Sequence, residues 1–221
     1  MSDLQKYFRT NRKRLITKWD HYFEIYDRHF KRYRDREVTV LEIGVSHGGS
    51  LQMWKHYFGS RARIFGIDIN PAVQGYVESQ IELIVGDQED RSFLRGLRER
   101  LPEIDIVIDD GGHTMSQQVT TFEEIFPYIS KDGIYLCEDT HTSYWGRFGG
   151  GYKKEASFIE YMKLKIDELN AFSGSKHNKN LEVTDFTRTA KSMHFYDSIV
   201  IVEKGIRRKP TTVRAGRRVL S

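Results

Sequence analysis

Apolar and polar positions follow two periods along this chain. Short apolar runs rich in β-branched residues alternate with longer stretches of helical spacing. The first run, Val38–Ile43 (VTVLEI), suits a strand buried on both faces of a parallel sheet. It leads into Gly44, Gly48 and Gly49, then into Leu51, Trp54, Lys55 and Phe58, which predict a helix over Ser50–Phe58. Further strands are predicted at Arg61–Asp68, Ile81–Val85, Ile104–Asp109 and Gly133–Cys137. Helices are predicted over Asp90–Leu101, Thr114–Ile129 and Glu155–Leu169, and residues 170–180 read as a polar loop. Lys191–Tyr196 and Ser198–Glu203 meet through a tight turn, which forces an antiparallel pair. Ahead of the first strand, Trp19 to Phe30 predict a helix from about Lys18 to Arg34, with a shorter one before it. Strands that alternate with helices describe an α/β fold with a mainly parallel sheet, whose ligand turn follows the first strand.

Composition sets bounds on this picture. The 221 residues are 38% hydrophobic, and no run approaches the roughly 20 apolar residues that span a bilayer. The N-terminus lacks the apolar core of a secretory signal. The single cysteine, Cys137, lies in an apolar run and reads as a small buried hydrophobe; with no intramolecular disulfide possible, a cytoplasmic location is expected. The net charge of +4 is unevenly spread: residues 1–37 carry +5 and residues 205–221 carry +6, which leaves −7 for the body between them. An acidic body argues against a nucleic-acid groove across its main face, and no membrane partner is expected. The chain divides into an N-terminal helical segment (1–37), a folded body (38–204) and a basic tail (205–221) whose few core-forming residues predict disorder.

The chemistry gathers at strand ends. Asp68 ends the second strand about 20 residues beyond the glycine turn, where an acid can accept from ribose hydroxyls; a turn aspartate before Asn70-Pro71 is the bland reading. Asp87 and Gln88 follow the third strand and could meet an adenine edge, although Gly-Asp is also ordinary turn chemistry. The fourth strand runs into Asp109 and Asp110, with His113 three residues on, and the fifth into Glu138 and Asp139. Carboxylates at adjoining strand tips repel one another, and a hard divalent cation removes that cost. Asp110, Glu138 and Asp139 are therefore the candidate Mg²⁺ ligands, ahead of the reading in which they only cap helices. His113 is a candidate general base, against a polar cap at the helix start, and His141 ranks behind it. Residues 140–152 mix aromatics with glycines; a substrate lid bearing Tyr144, Trp145 and Phe148 competes with a plain loop. Tyr22 or Tyr26 could close over a cofactor in the glycine turn, though a packing role is the commoner one for such a helix.

Four segments in order, LEIGVSHGGSLQMWKHYF, GDQED, VIDDGGH and EDTHTSYW, resemble those of the class I S-adenosylmethionine-dependent methyltransferases. They are most similar to the metal-dependent macrolide-sugar O-methyltransferases of the mycinamicin and macrocin type and to the methyltransferase-like component of cephalosporin methoxylation. The resemblance implies a Rossmann-like fold with a seven-stranded, mainly parallel sheet, a C-terminal antiparallel hairpin and an N-terminal helical appendage. It implies that Glu42, Gly44 and Ser50 line the methionine part of the cofactor, that Asp68 holds the ribose, and that Asp87 and Gln88 hold the adenine. Asp110 would serve both cofactor and Mg²⁺, beside Glu138 and Asp139, with His113 as base. A sugar or glycoside hydroxyl as acceptor and a homo-oligomeric state are expected, with a non-catalytic cofactor-binding subunit as the alternative. Gly112 departs from the serine of several relatives. The absence of the large N-terminal extension of the mycinamicin-type enzymes bears on acceptor identity and oligomer contacts. No regular GxGxxG is present, which argues against a nicotinamide-dependent oxidoreductase.

Overall fold

The computed structural model describes residues 1–174, 178–217 and 219. Seven strands form one sheet: β1 (Val38–Ile43), β2 (Ala62–Asp68), β3 (Ile81–Val85), β4 (Ile104–Asp109), β5 (Ile129–Cys137), β6 (Ala190–Tyr196) and β7 (Ile199–Lys204). Their order is β3-β2-β1-β4-β5-β7-β6. The β1–β5 pairings are parallel, while β7 runs antiparallel to both β5 and β6. The strand order reverses between β1 and β4, so the carboxyl ends of those two strands open a crevice.

Because successive strand residues face opposite sides, one sequence feeds two cores. Val40, Ile64, Ile106, Ile108, Leu136 and Ile201 face one layer, which holds α1 (Asp3–Thr10), α2 (Tyr22–Phe30) and α3 (Gly49–Phe58). Leu41, Phe65, Val107, Tyr135, Cys137 and Val200 face the other, which holds α4 (Arg91–Arg100), α5 (Met115–Ile125) and α6 (Phe158–Gly174). Phe23, Tyr26 and Phe30 of α2 are fully buried against this sheet, so the N-terminal helices complete its core.

Several expected boundaries move. The helix expected over Lys18–Arg34 starts only at Tyr22, because residues 11–21 run as an irregular strap across the crevice. The helix expected to reach Ile129 ends at Ile125: Pro127 has no N–H to continue it, and a 3-10 turn over Phe126–Tyr128 leads directly into β5. β5 thereby begins at Ile129 rather than Gly133, with a register shift against β4 between Ile104 and Ile106. A short helix, α7 (Asp185–Thr189), capped by Thr184, had no hydrophobic period to announce it. Of the expected polar loop, Asn170–Gly174 instead continue α6, and residues 175–177 lie outside the described residues. The tail begins tied down, with Arg207 donating to Leu169 O at 2.7 Å. Residues 208–217 are exposed, without helix or strand; the disorder expected at 218, 220 and 221 lies outside the described residues.

Candidate active site

The glycine turn is built by exclusion of side chains. Gly44 has φ +91°, and a Cβ there would lie 2.0 Å from the Asp110 carbonyl oxygen, so the turn passes β4 at a distance only glycine allows. The next two amides, of Val45 and Ser46, both donate to Asp68 Oδ2 at 2.9 Å. Asp68 Oδ1 accepts from Asn70 N, so this carboxylate ties β1 to β2 at their tips. Gly49 opens α3 beneath the strap, where a Cβ would lie 2.3 Å from Leu15 O.

A cavity of about 490 Å³ lies over this turn. Of the expected site residues, Gly44, Ser50, Asp68, Asp87, Gln88, Asp110, His113 and Asp139 line it, whereas Glu42, Glu138, Tyr144 and Trp145 do not. Gln88 is engaged at both ends of its amide: it donates to Asp109 Oδ1 and Thr121 Oγ1 and accepts from Gly112 N at 2.7 Å. Asp87 Oδ1 accepts from Glu89 N. Glu42 is fully buried and accepts from Ser50 Oγ at 2.8 Å and Trp54 Nε1 at 3.1 Å. Burial pushes its carboxyl up to about 7, although Lys18 pulls the other way. Asp109, buried behind Asp110 and bonded by Tyr135, is likewise pushed up to about 7, chiefly by burial.

The acids at the tips of β4 and β5 do converge, but in two groups. Asp110, His113 and Asp139 form the outer group, each offering an atom within 4.8 Å of the others. His113 Nε2 lies 3.8 Å from Asp110 Oδ1 and 3.6 Å from Asp139 Oδ2, while its buried Nδ1 has no hydrogen-bond partner. His113 and Asp139 both hold positive φ, 59° and 54°, a conformation that costs free energy outside glycine and clusters at functional sites. Thr142 Oγ1 donates to both of their carbonyl oxygens at 2.9 Å and fixes this backbone.

The inner group is organised by a residue that the motifs do not contain. Lys18 Nζ donates to Asp110 Oδ2 and to both oxygens of Glu138, at 2.9 and 2.8 Å, and lies 3.9 Å from Glu42 Oε1. Burial alone would lower this ammonium's pKa, but Asp110, Glu138 and Glu42 together raise it above the ordinary value. Glu138, 1% exposed, is pushed upward by burial and Asp110, against the pull of Lys18. Tyr26 donates to Glu138 Oε1 at 2.8 Å and Tyr22 to Asp139 Oδ1 at 2.7 Å. The two tyrosines therefore bind the acids from behind and do not line the cavity. One signal was present in the sequence, for the tyrosines alone: Tyr22 and Tyr26 are four residues apart, the spacing of one helix face.

Tyr144 ends the 3-10 turn that follows Asp139, and Trp145 links it to a second one over Gly146–Phe148. His141 stacks on Trp19 with ring centroids 4.7 Å apart and meets the edge of Trp145 at 4.6 Å. Trp19 and Trp145 are 43% and 41% exposed, so an aromatic shelf adjoins Asp139.

Comparison with known proteins gives this architecture relatives. Residues 41–140 match a methyltransferase domain family. The chain is 39% identical over 192 residues to the 8-demethyl-8-alpha-L-rhamnosyl tetracenomycin-C 2'-O-methyltransferase of Streptomyces olivaceus, an alignment covering 83% of this chain and 50% of that protein. It is 37% identical over 210 residues to the demethylmacrocin O-methyltransferase of Streptomyces fradiae, covering 87% and 51%. A crystal structure of the MycE methyltransferase of the mycinamycin pathway, in complex with Mg, SAH and mycinamycin VI, superposes with a TM-score of 0.77 at 34% identity, covering 93% of this chain and 54% of that one. The chain spans about half the length of the curated relatives it matches. It carries a methyltransferase domain of Rossmann-like, class I fold, and its homologues include sugar and macrolide O-methyltransferases.

Proposed function

We propose that this domain is an S-adenosylmethionine- and Mg²⁺-dependent O-methyltransferase acting on a hydroxyl of a sugar or glycosylated natural product. The observation that carries the reading is the convergence of Asp110, His113 and Asp139 at one wall of the glycine-turn cavity. The relatives' names support the acceptor class.

The residues fit both groups. The cradle at Gly44, which a Cβ would fill, leaves room for the cofactor's methionine end beside Ser50, with Asp68 towards its ribose and Asp87 and Gln88 towards its adenine. Asp110, Asp139 and Glu138 are hard oxygen donors suited to Mg²⁺, with the Glu138 oxygens presently bonded to Lys18. When bound, S-adenosylmethionine supplies an electrophilic methyl group and Mg²⁺ supplies positive charge beside the acceptor oxygen. His113 Nε2 accepts the acceptor's proton, and Asp110 and Asp139 on either side stabilise the imidazolium that results. Thr142 holds His113 and Asp139 in their strained backbone geometry, so the base needs little reorganisation. Tyr144, at 52% exposure, and Trp145 of the proposed lid, with Trp19 and His141 beside them, offer flat faces to the acceptor's sugar or aglycone.

A cytoplasmic location fits the one buried cysteine, and no described helix is long and apolar enough to cross a membrane; a homo-oligomer is what the family resemblance implies. The test is calorimetric titration with S-adenosylmethionine, followed by a methyl-transfer screen against rhamnosides and macrolide glycosides. Cofactor binding with transfer to a glycoside hydroxyl is the expected result. Cofactor binding with no transfer to any acceptor would replace the enzyme by a cofactor-binding subunit.

A further inference from the structure

Lys18 lies on the strap, outside the matched domain, and its side chain is only 2% exposed. A buried ammonium persists only where its charge is met, and here three carboxylates meet it. Its partners are also informative. Both Glu138 oxygens and one Asp110 oxygen point at Lys18, whereas Asp110 Oδ1 and Asp139 Oδ2 face His113. Two of the three carboxylates proposed for the metal are thus held by an internal cation.

The strap is anchored on both sides of this lysine. Upstream, Arg14 donates to Tyr76 O at 3.0 Å, stacks over the Tyr76 ring and pairs with Glu78 at 3.6 Å. Downstream, Tyr22 and Tyr26 bind Asp139 and Glu138. The ammonium is therefore delivered by fixed flanks to one place, among the carboxylates of Glu42, Asp110 and Glu138.

We propose that Lys18 is a positioning residue that serves as a resident counter-cation: it holds Asp110 and Glu138 converged and yields their oxygens to the divalent ion. The inference rests on the proposed metal dependence. Glu42, which bonds Ser50 and Trp54 as well, has other partners when the ammonium shifts. The arrangement separates two requirements that otherwise conflict. A cluster of four acids, Glu42, Asp110, Glu138 and Asp139, would repel itself open without a cation, while a cation already in place opposes the arrival of a second.

The test is Mn²⁺ binding without cofactor or acceptor, followed by electron paramagnetic resonance and calorimetry, in the wild type, Lys18→Met, Lys18→Gln and Lys18→Arg. The neutral Met and Gln variants should bind Mn²⁺ at least about tenfold more tightly, since a like charge and competing hydrogen bonds are both gone. The Arg variant, which keeps the charge, should not. Without metal, Lys18→Met should melt below the wild type, and Mn²⁺ should narrow the gap. Lys18→Gln keeps an amide donor for the acids and remains available if the Met variant does not fold. Unchanged or weaker Mn²⁺ binding in a folded neutral variant overturns the inference, while wild-type binding leaves the functional reading intact. If no protein in the series binds Mn²⁺, both fall together.

Discussion

At the scale of single residues, the site divides labour between an outer and an inner set of carboxylates. His113 faces the outer pair with Nε2, which puts an imidazole where it can take a proton from an acceptor. His113→Ala should lower kcat by about 10²–10⁴-fold, the usual worth of a general base, with cofactor affinity nearly unchanged. Steady-state kinetics beside calorimetry would check this, and a wild-type kcat would remove His113 from the mechanism. A second histidine makes a stability prediction. Burial lowers His29 below the ordinary imidazole value, despite its 3.0 Å contact with Glu203. The folded state thus binds fewer protons than the unfolded state just below about pH 6.5, so this contribution is present above that pH and is lost as pH falls through the folded value. The raised carboxyls of Glu42, Asp109 and Glu138 act in the opposite sense in both proteins, so the check is the difference: the urea midpoint of the wild type relative to that of His29→Gln should fall from pH 7 to pH 5. Parallel slopes would show that His29 is not the group responsible.

At the scale of elements, α2 and the strap before it matter more than their position suggests. Phe30 is fully buried between Tyr26, Trp54 and Phe58. Phe30→Ala should cost about 3–5 kcal/mol of stability by denaturant melt, the range for a buried phenylalanine that leaves a cavity. Gly49→Ala probes the strap instead. Its Cβ would collide with Leu15 O and Arg14 O, so cofactor affinity should fall at least about tenfold while the sheet stays folded by circular dichroism. Strands were the most legible elements, because buried β-branched runs such as IELIV and IDIVID have few other uses. The strap was not legible. Its chain path is set by Lys18 reaching acids more than ninety residues away, a contact that no local period encodes. Pro127 was visible, but not that β5 would begin two residues after it.

At the scale of the whole molecule, the strand order makes the site. With β1 between β2 and β4, three strand ends bring the glycine turn, Asp68 and Asp110 around one cavity, and β5 adds Asp139. The acidic pairs at β4 and β5 were readable because neighbouring parallel strands must end side by side. Their division was not: the sequence motifs treat Glu138 and Asp139 alike, yet Lys18 and Tyr26 claim the first and Tyr22 and His113 meet the second. The most direct test of the central claim is methyl transfer from S-adenosylmethionine to a rhamnosyl or macrolide glycoside, measured before EDTA, after EDTA and after Mg²⁺ is restored. The account predicts turnover that EDTA abolishes and Mg²⁺ recovers. Turnover at an undiminished rate in EDTA would contradict it.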